Sequence, residues 1–214
     1  MVKPDRTSAI EFMPARVTMT SLREAAANCR GCPLYRRATH TVFGEGRRSA
    51  RVILVGEQPG HEEDLQGLPF VGPAGRVLDE ALEAVGLARE DAYVTNVVKH
   101  FKWIPNGKRR MHKKPGAREI AACLPWLERE IALIRPKVLV CLGATAAQSL
   151  LGRDFKVTER RGEVVETTLA EHAVATIHPS AILRVPSREQ RHREMQRFTH
   201  DLHVAARLLA GRAA

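Results

Sequence analysis

Short apolar runs recur along the chain, separated by longer stretches whose apolar residues return at helical spacing. Arg51 to Val55 (RVILV) is apolar enough to be a strand buried on both faces. Ala92 to Val97 and Lys137 to Leu142 read as a second and a third strand, and Glu163 to Thr167 and Ala173 to Ile177 as two more. Between them, a helix is predicted from Pro73 to Val85, where Leu78, Leu82 and Val85 share a face and Gly86 ends the element. Further helices are predicted from Gly116 to Ile134, with Pro136 behind it, from Ala144 to Leu151 and from Arg188 to Ala210. Ser21-Leu22-Arg23-Glu24 fits a capping box and predicts a short helix from 21 to 28. Residues 1–19 show no clean period and read as a poorly ordered lead-in, leaving 20–214 as a single domain. Strands alternating with helices predict an α/β protein: a three-layer α/β/α sandwich around a central, mainly parallel sheet.

In such sheets, ligands sit beyond the carboxyl ends of the strands. Three strands there empty into chemically suggestive loops: Gly56-Glu57-Gln58-Pro59-Gly60, Asn96 with the segment after it, and His178-Pro179-Ser180. Neither a G-x-G-x-x-G pattern nor a Walker lysine follows the first strand, which argues against dinucleotide and nucleoside-triphosphate chemistry.

Charge sharpens this picture. The net charge of +10 favours a polyanionic partner, nucleic acid before an anionic membrane surface. No apolar run is long enough to span a membrane and no signal-peptide pattern opens the chain, so a cytoplasmic protein is expected. The segment after Asn96 passes through a turn signal, Pro105-Asn106-Gly107, and ends in Lys108, Arg109, Arg110 and His112. A basic loop tipped by an imidazole suits phosphate binding and chemistry; a merely solvated loop is the competing reading.

Of four cysteines, Cys141 lies in an apolar strand and reads as a small core residue. Cys29-x-x-Cys32 pairs two thiols, Cys123 sits on a predicted helix, and His100 follows the second strand. Three thiolates and an imidazole suit zinc or an iron–sulfur cluster; unligated or redox-active thiols are the alternative.

Phe70 stands in a Gly/Pro-rich loop, either plugging that loop onto the core or stacking on a planar base. Asn96 either closes a turn or offers its amide to the edge of a pyrimidine. His178 is either a structural histidine or a donor to a developing oxyanion. Ala181-Ile182-Leu183-Arg184 sets apolar side chains beside a cation, which suits a wedge in a base stack.

These segments converge on a known family. Gly56-Glu57-Gln58-Pro59-Gly60, the run from Gly67 to Gly75 (GLPFVGPAG), Tyr93-Val94-Thr95-Asn96 and His178-Pro179-Ser180 resemble the motifs of uracil-DNA glycosylases, in order, over Cys29 to Leu209. The cysteine layout resembles the iron–sulfur-containing family 4. Lys108-Arg109-Arg110-Met111-His112 is similar to the signature insertion of the UdgX subgroup, with Met111 in place of the usual isoleucine.

The resemblance implies the uracil-DNA glycosylase fold and a 4Fe–4S cluster on Cys29, Cys32, His100 and Cys123. It implies Phe70 stacked on a flipped uracil, Asn96 on its polar edge, Gly56 in the pocket and Glu63 crowding the thymine methyl. Glu57 and Gln58 would lie at the sugar and His178 near uracil O2. Lys108, Arg109, Arg110, Ser180, Ile182, Leu183 and Arg184 would meet the DNA. His112 would bond to the sugar after uracil leaves, so that the enzyme excises once and stays attached. The expected partner is uracil-containing DNA, single-stranded by preference, bound by a monomer. An ordinary turnover glycosylase and a non-enzymatic, metal-stabilised nucleic-acid-binding module are the other readings.

Overall fold

A computed structural model describes residues 8–211. Five strands form one sheet: β1 (Val52–Gly56), β2 (Ala92–Asn96), β5 (Val138–Leu142), β6 (Val164–Val165) and β7 (His172–Thr176), in the spatial order β2-β1-β5-β7-β6. β1 pairs in parallel with β2 and β5, and β5 with β7; only the β6–β7 pair is antiparallel. The expected mainly parallel sheet is present, with its edge strand shortened to a two-residue remnant of the predicted run from Glu163 to Thr167.

The alternation of side chains along each strand divides the interior in two. Ile53, Val55, Tyr93, Leu139 and Cys141 face α1 (Met19–Ala27), α4 (Ala117–Ile134) and α5 (Ala144–Leu150). Val52, Leu54, Val94, Val138, Val140 and Val174 face α3 (Pro73–Ala84), α7 (Pro179–Leu183) and α8 (Arg188–Leu209). Both faces of the sheet are therefore dry, which is why its strands read as continuous apolar runs. The remaining short helices are α2 (His61–Gln66) and α6 (Val157–Arg160).

Three local expectations are corrected. The capping box belongs to Thr18 and Ser21, not to Ser21 and Glu24. Thr18 Oγ1 accepts from the Ser21 N–H at 3.1 Å, the Ser21 Oγ accepts from the Thr18 N–H at 2.9 Å, and α1 starts at Met19. The described part of the lead-in is packed: residues 9–12 form a 3-10 turn, Ala9 is fully buried, and Phe12, Met13 and Val17 lie on the core; residues 1–7 fall outside the described residues. The segment after Asn96 is an antiparallel hairpin, β3 (Trp103–Asn106) and β4 (Arg109–His112). Its two-residue turn has Gly107 at φ +57°, a conformation that glycine adopts without a Cβ clash.

Candidate active site

Gly56, Asn96, Leu142 and Thr176 end their strands at one edge of the sheet, as the pairing register requires. Beyond that edge lies a cavity of about 670 Å³, lined among others by Glu57, Gln58, Glu63, Phe70, Asn96, His112, Thr145 and His178. The sheet thus brings together residues from four separate segments that the sequence left far apart.

The hairpin delivers His112. Within β4, Arg110 and His112 point to the same side, since side chains alternate along a strand. Arg110 anchors that side to α2: its Nη1 donates to Asp64 Oδ2 at 2.6 Å and its Nε to His61 Nδ1 at 2.9 Å, while its guanidinium lies 5.4 Å from the Trp103 ring. Gln58 fastens the other end. Its Oε1 accepts from the Lys102 N–H at 3.0 Å, and its Nε2 donates to the Lys113 carbonyl at 3.0 Å and to His112 Nε2 at 2.8 Å. The two carbonyls near Gln58 Nε2 identify it as the amide nitrogen, so His112 Nε2 must offer its lone pair and the proton of the neutral ring sits on Nδ1. Burial lowers the pKa of His112; Glu57 opposes this and Arg184 adds to it. The result is a neutral imidazole whose Nε2, hydrogen-bonded by Gln58, stands 3.6 Å from Glu57 Oε1. The other Glu57 oxygen, Oε2, accepts a hydrogen bond from Thr145 Oγ1.

Asn96 is only 2 % exposed, and its Oδ1 has no hydrogen-bond partner among the described residues. An orphaned acceptor in a cavity wall is costly unless a ligand satisfies it. Gly56 leaves room for it: a Cβ there would stand 2.4 Å from Asn96 Oδ1 and 2.7 Å from Phe70 Cζ. Phe70 itself holds φ +56°, a strained conformation for an aromatic residue, and a Cβ on Gly75 would collide with its carbonyl at 1.8 Å. Its ring is both a core contact and a cavity wall, stacked on His178 at 5.8 Å between centroids. Glu63 Oε1 accepts from the Gly72 N–H at 2.9 Å, which fixes its carboxylate in the wall.

His178 Nδ1 accepts from the Ser180 N–H at 3.2 Å, so the neutral ring carries its proton on Nε2. Burial, reinforced by Arg184 and His112, lowers its pKa to about 4. It can therefore donate a hydrogen bond as a neutral imidazole without carrying a charge.

The residues expected at DNA separate into two groups. Lys108, Arg109, Leu183 and Arg184 are exposed, and Ser180 and Arg184 line the cavity. Ile182 is turned into the core at 2 % exposure, on the face of α7 packed against the sheet layer, and Leu183, at 41 %, is the exposed one. Arg110 is likewise turned inward, onto buried Asp64. Thr145 and Lys114 line the cavity without having been singled out in the sequence. Thr145, in the first turn after a strand end, carried a positional signal; Lys114 carried none.

Cys29, Cys32 and Cys123 are buried; burial raises the Cys32 thiol and pushes the Cys123 thiol up to about 12, with the nearby cysteines adding to both. N–H groups point at them: Trp126 Nε1 at 3.3 Å from Cys29 Sγ and the Lys99 N–H at 3.2 Å from Cys123 Sγ. Among the described residues, no three His, Cys, Asp or Glu side chains converge to hold a single metal ion. His100 Nε2 bonds Thr41 Oγ1 at 2.8 Å, and burial brings its pKa to about 4. Buried thiols that receive N–H groups are a donor set of the kind an iron–sulfur cluster uses.

The chain resembles proteins of known name. The family model "Uracil DNA glycosylase superfamily" matches residues 43–203. A Type-4 uracil-DNA glycosylase of Thermotoga maritima is 40 % identical over 174 residues, covering 81 % of this chain and 87 % of that protein. One from Archaeoglobus fulgidus is 40 % identical over 166 residues, 74 % of this chain and 80 % of that protein. A Type-5 uracil-DNA glycosylase of Pyrobaculum aerophilum is 30 % identical over 172 residues, covering 70 % and 72 %. With its sheet, its strand-end cavity and this breadth of match, the chain belongs to the uracil-DNA glycosylase superfamily.

Proposed function

We propose that the protein is a UdgX-like uracil-DNA glycosylase that excises uracil from DNA and then traps itself on the sugar through His112. The observation that carries the excision is the orphaned Asn96 Oδ1 in the cavity wall. It is an acceptor for uracil N3–H, while the same amide's nitrogen donates to O4. Phe70 lies against the base, Gly56 leaves it room, and Glu63 narrows the wall where a thymine methyl would project.

The C1′–N1 bond breaks with its electron pair leaving on uracil. Neutral His178, through Nε2–H, stabilises the negative charge at O2. Glu57, oriented by Thr145, stabilises the positive charge at the sugar. The Nε2 lone pair of His112 then exchanges its bond from Gln58 for a bond to C1′, and the resulting imidazolium loses its Nδ1 proton to solvent. The departed uracil anion takes a proton from water. An alkylated imidazole is a poor leaving group, so turnover stops.

Cys29, Cys32 and Cys123, with His100 once it leaves Thr41, would hold a 4Fe–4S cluster whose role is structural. The substrate is uracil-containing DNA, single strands preferred, met by a monomer in the cytoplasm. A second reading, ordinary turnover by a family 4 enzyme, is favoured by the names of the similar proteins.

The test is incubation with a uracil-containing single strand, followed by hot detergent electrophoresis and assay of free uracil. The wild type should yield one uracil per adduct, and mapping should place the DNA on His112. His112→Ala should abolish the adduct and still release uracil. Many uracils per enzyme without an adduct would establish the turnover reading, and a cross-link at Lys113 or Lys114 would sink the imidazole mechanism.

A further inference from the structure

Two arginine-bearing stretches flanking the cysteine loop and the hairpin contain no acidic residue: the one between Glu24 and Glu45, and the one between Asn96 and Glu119. The first holds Arg30, Arg36 and Arg37 around the Cys29–Cys32 loop; the second is the His112 hairpin with its flanks. Folding joins them. Trp103 Nε1 on β3 donates to the Arg37 carbonyl at 2.9 Å, and the Arg37 guanidinium lies 6.0 Å from the Trp103 ring. Next to it, Tyr35 supports Arg30 at 5.9 Å and Arg36 at 5.8 Å. Trp103 is also the cross-strand partner of His112, so this face abuts the reacting imidazole.

Several exposed arginines elsewhere are neutralised: Arg23, Arg47, Arg89, Arg160, Arg193 and Arg197 each pair with a carboxylate. Among the described residues, neither Arg30 nor Arg37 has such a partner. Their guanidinium groups lie over aromatic rings, which orients each one while leaving its N–H groups without a carboxylate partner.

We infer that this face is a phosphate track, seated on Tyr35 and Trp103, that binds the backbone of the DNA strand as it leaves the base cavity. The rings are occupied by their own arginines, so the track reads phosphates and carries no base preference. The cysteine-bearing segment thereby becomes part of the substrate surface. The identity of the bound polymer rests on the glycosylase reading above; the charge arrangement does not.

The experiment compares wild type with the double variants Arg30→Gln/Arg37→Gln and Arg30→Lys/Arg37→Lys. Affinity is measured against salt for a long uracil-free single strand. Excision is measured on a short substrate with one nucleotide either side of the uracil and on a long one. Losing two contacts at roughly 0.7 each should reduce the salt slope by about 1.4 for the glutamine variant. The lysine variant should keep most of the slope, and excision of the short substrate should match wild type. An unchanged slope overturns the track, as does an equal loss on short and long substrates, which marks a folding defect. Loss of binding to anionic lipid vesicles with DNA binding intact also overturns it, since the face would then be a membrane surface. A wild type that excises nothing refutes the glycosylase reading, while the salt slope still decides the track.

Discussion

His112 and Glu57 show how one side chain's chemistry is set by the neighbours that hold it. Gln58 selects the tautomer of His112, and burial lowers its pKa below the ordinary value of about 6.5. In the proposed trapping step the nucleophile is the neutral form, which a lowered pKa preserves toward acid. Adduct formation under single-turnover conditions should therefore fall on acidification with a midpoint below about 6.5. A midpoint above that value would mean that Glu57 outweighs burial. Thr145 donates to Glu57 Oε2 and leaves Oε1 facing His112. Loss of a hydrogen bond to a charged group costs about 1.5–3 kcal/mol, so Thr145→Val should slow excision about ten- to a hundredfold while Thr145→Ser holds it near wild type. Equal rates for the valine and serine variants would remove Thr145 from the site. At this scale the sequence was informative about residue types and silent about tautomers, because a tautomer depends on which acceptor lies across a contact.

The hairpin is the element on which the trapping reading depends. The sequence marked its turn at Pro105-Asn106-Gly107 but presented Arg110 as one more surface cation beside Lys108 and Arg109. Alternation along β4 separates Arg109 from Arg110: Lys108, in the turn, and Arg109 remain outside, and Arg110 reaches Asp64, which is fully buried. Arg110→Ala leaves that carboxylate with only backbone and water partners and should cost about 3 kcal/mol, read as a lowered urea midpoint. It should also reduce adduct yield more than uracil release, since the cavity walls stand on other elements. Equal loss of both would make Arg110 a fold residue rather than a support for His112. The adjoining strand end has its own support. Lys99 Nζ donates to the Asn96 carbonyl at 2.8 Å and to Glu130 on α4 at 2.5 Å, a buried pair that holds Asn96 against the helix layer.

Across the whole molecule, the cysteines tie the N-terminal segment to α4. Ala9 packs against the Cys29–Cys32 loop so closely that a Cβ on Gly31 would stand 2.7 Å from its nitrogen. Cys123 and Trp126 on α4 complete that corner of the core. Purified protein should be brown. Oxidative removal of the cluster should lower the melting temperature and expose the segment before α1 to protease, with a smaller effect on the distant α3–α8 layer. Colourless protein with stoichiometric zinc, or bleached protein of unchanged stability, would contradict this.

The strands and most helices were legible because apolar periodicity is a local property: a strand dry on both faces reads as RVILV or KVLVCL wherever it lies. The strand-end loops were legible for the same reason, since a parallel sheet assigns them a common edge. Tertiary structure alone decided which cations face solvent, that Ile182 turns inward and Leu183 outward, that the lead-in from Ser8 packs, and that a presumed loop is a hairpin clamped to α2. Each of these depends on a partner distant in sequence: Asp64 for Arg110, the core for Ile182, Gly31 for Ala9. Period and composition describe what a segment can bury, and only the assembled neighbours determine which of its faces is buried.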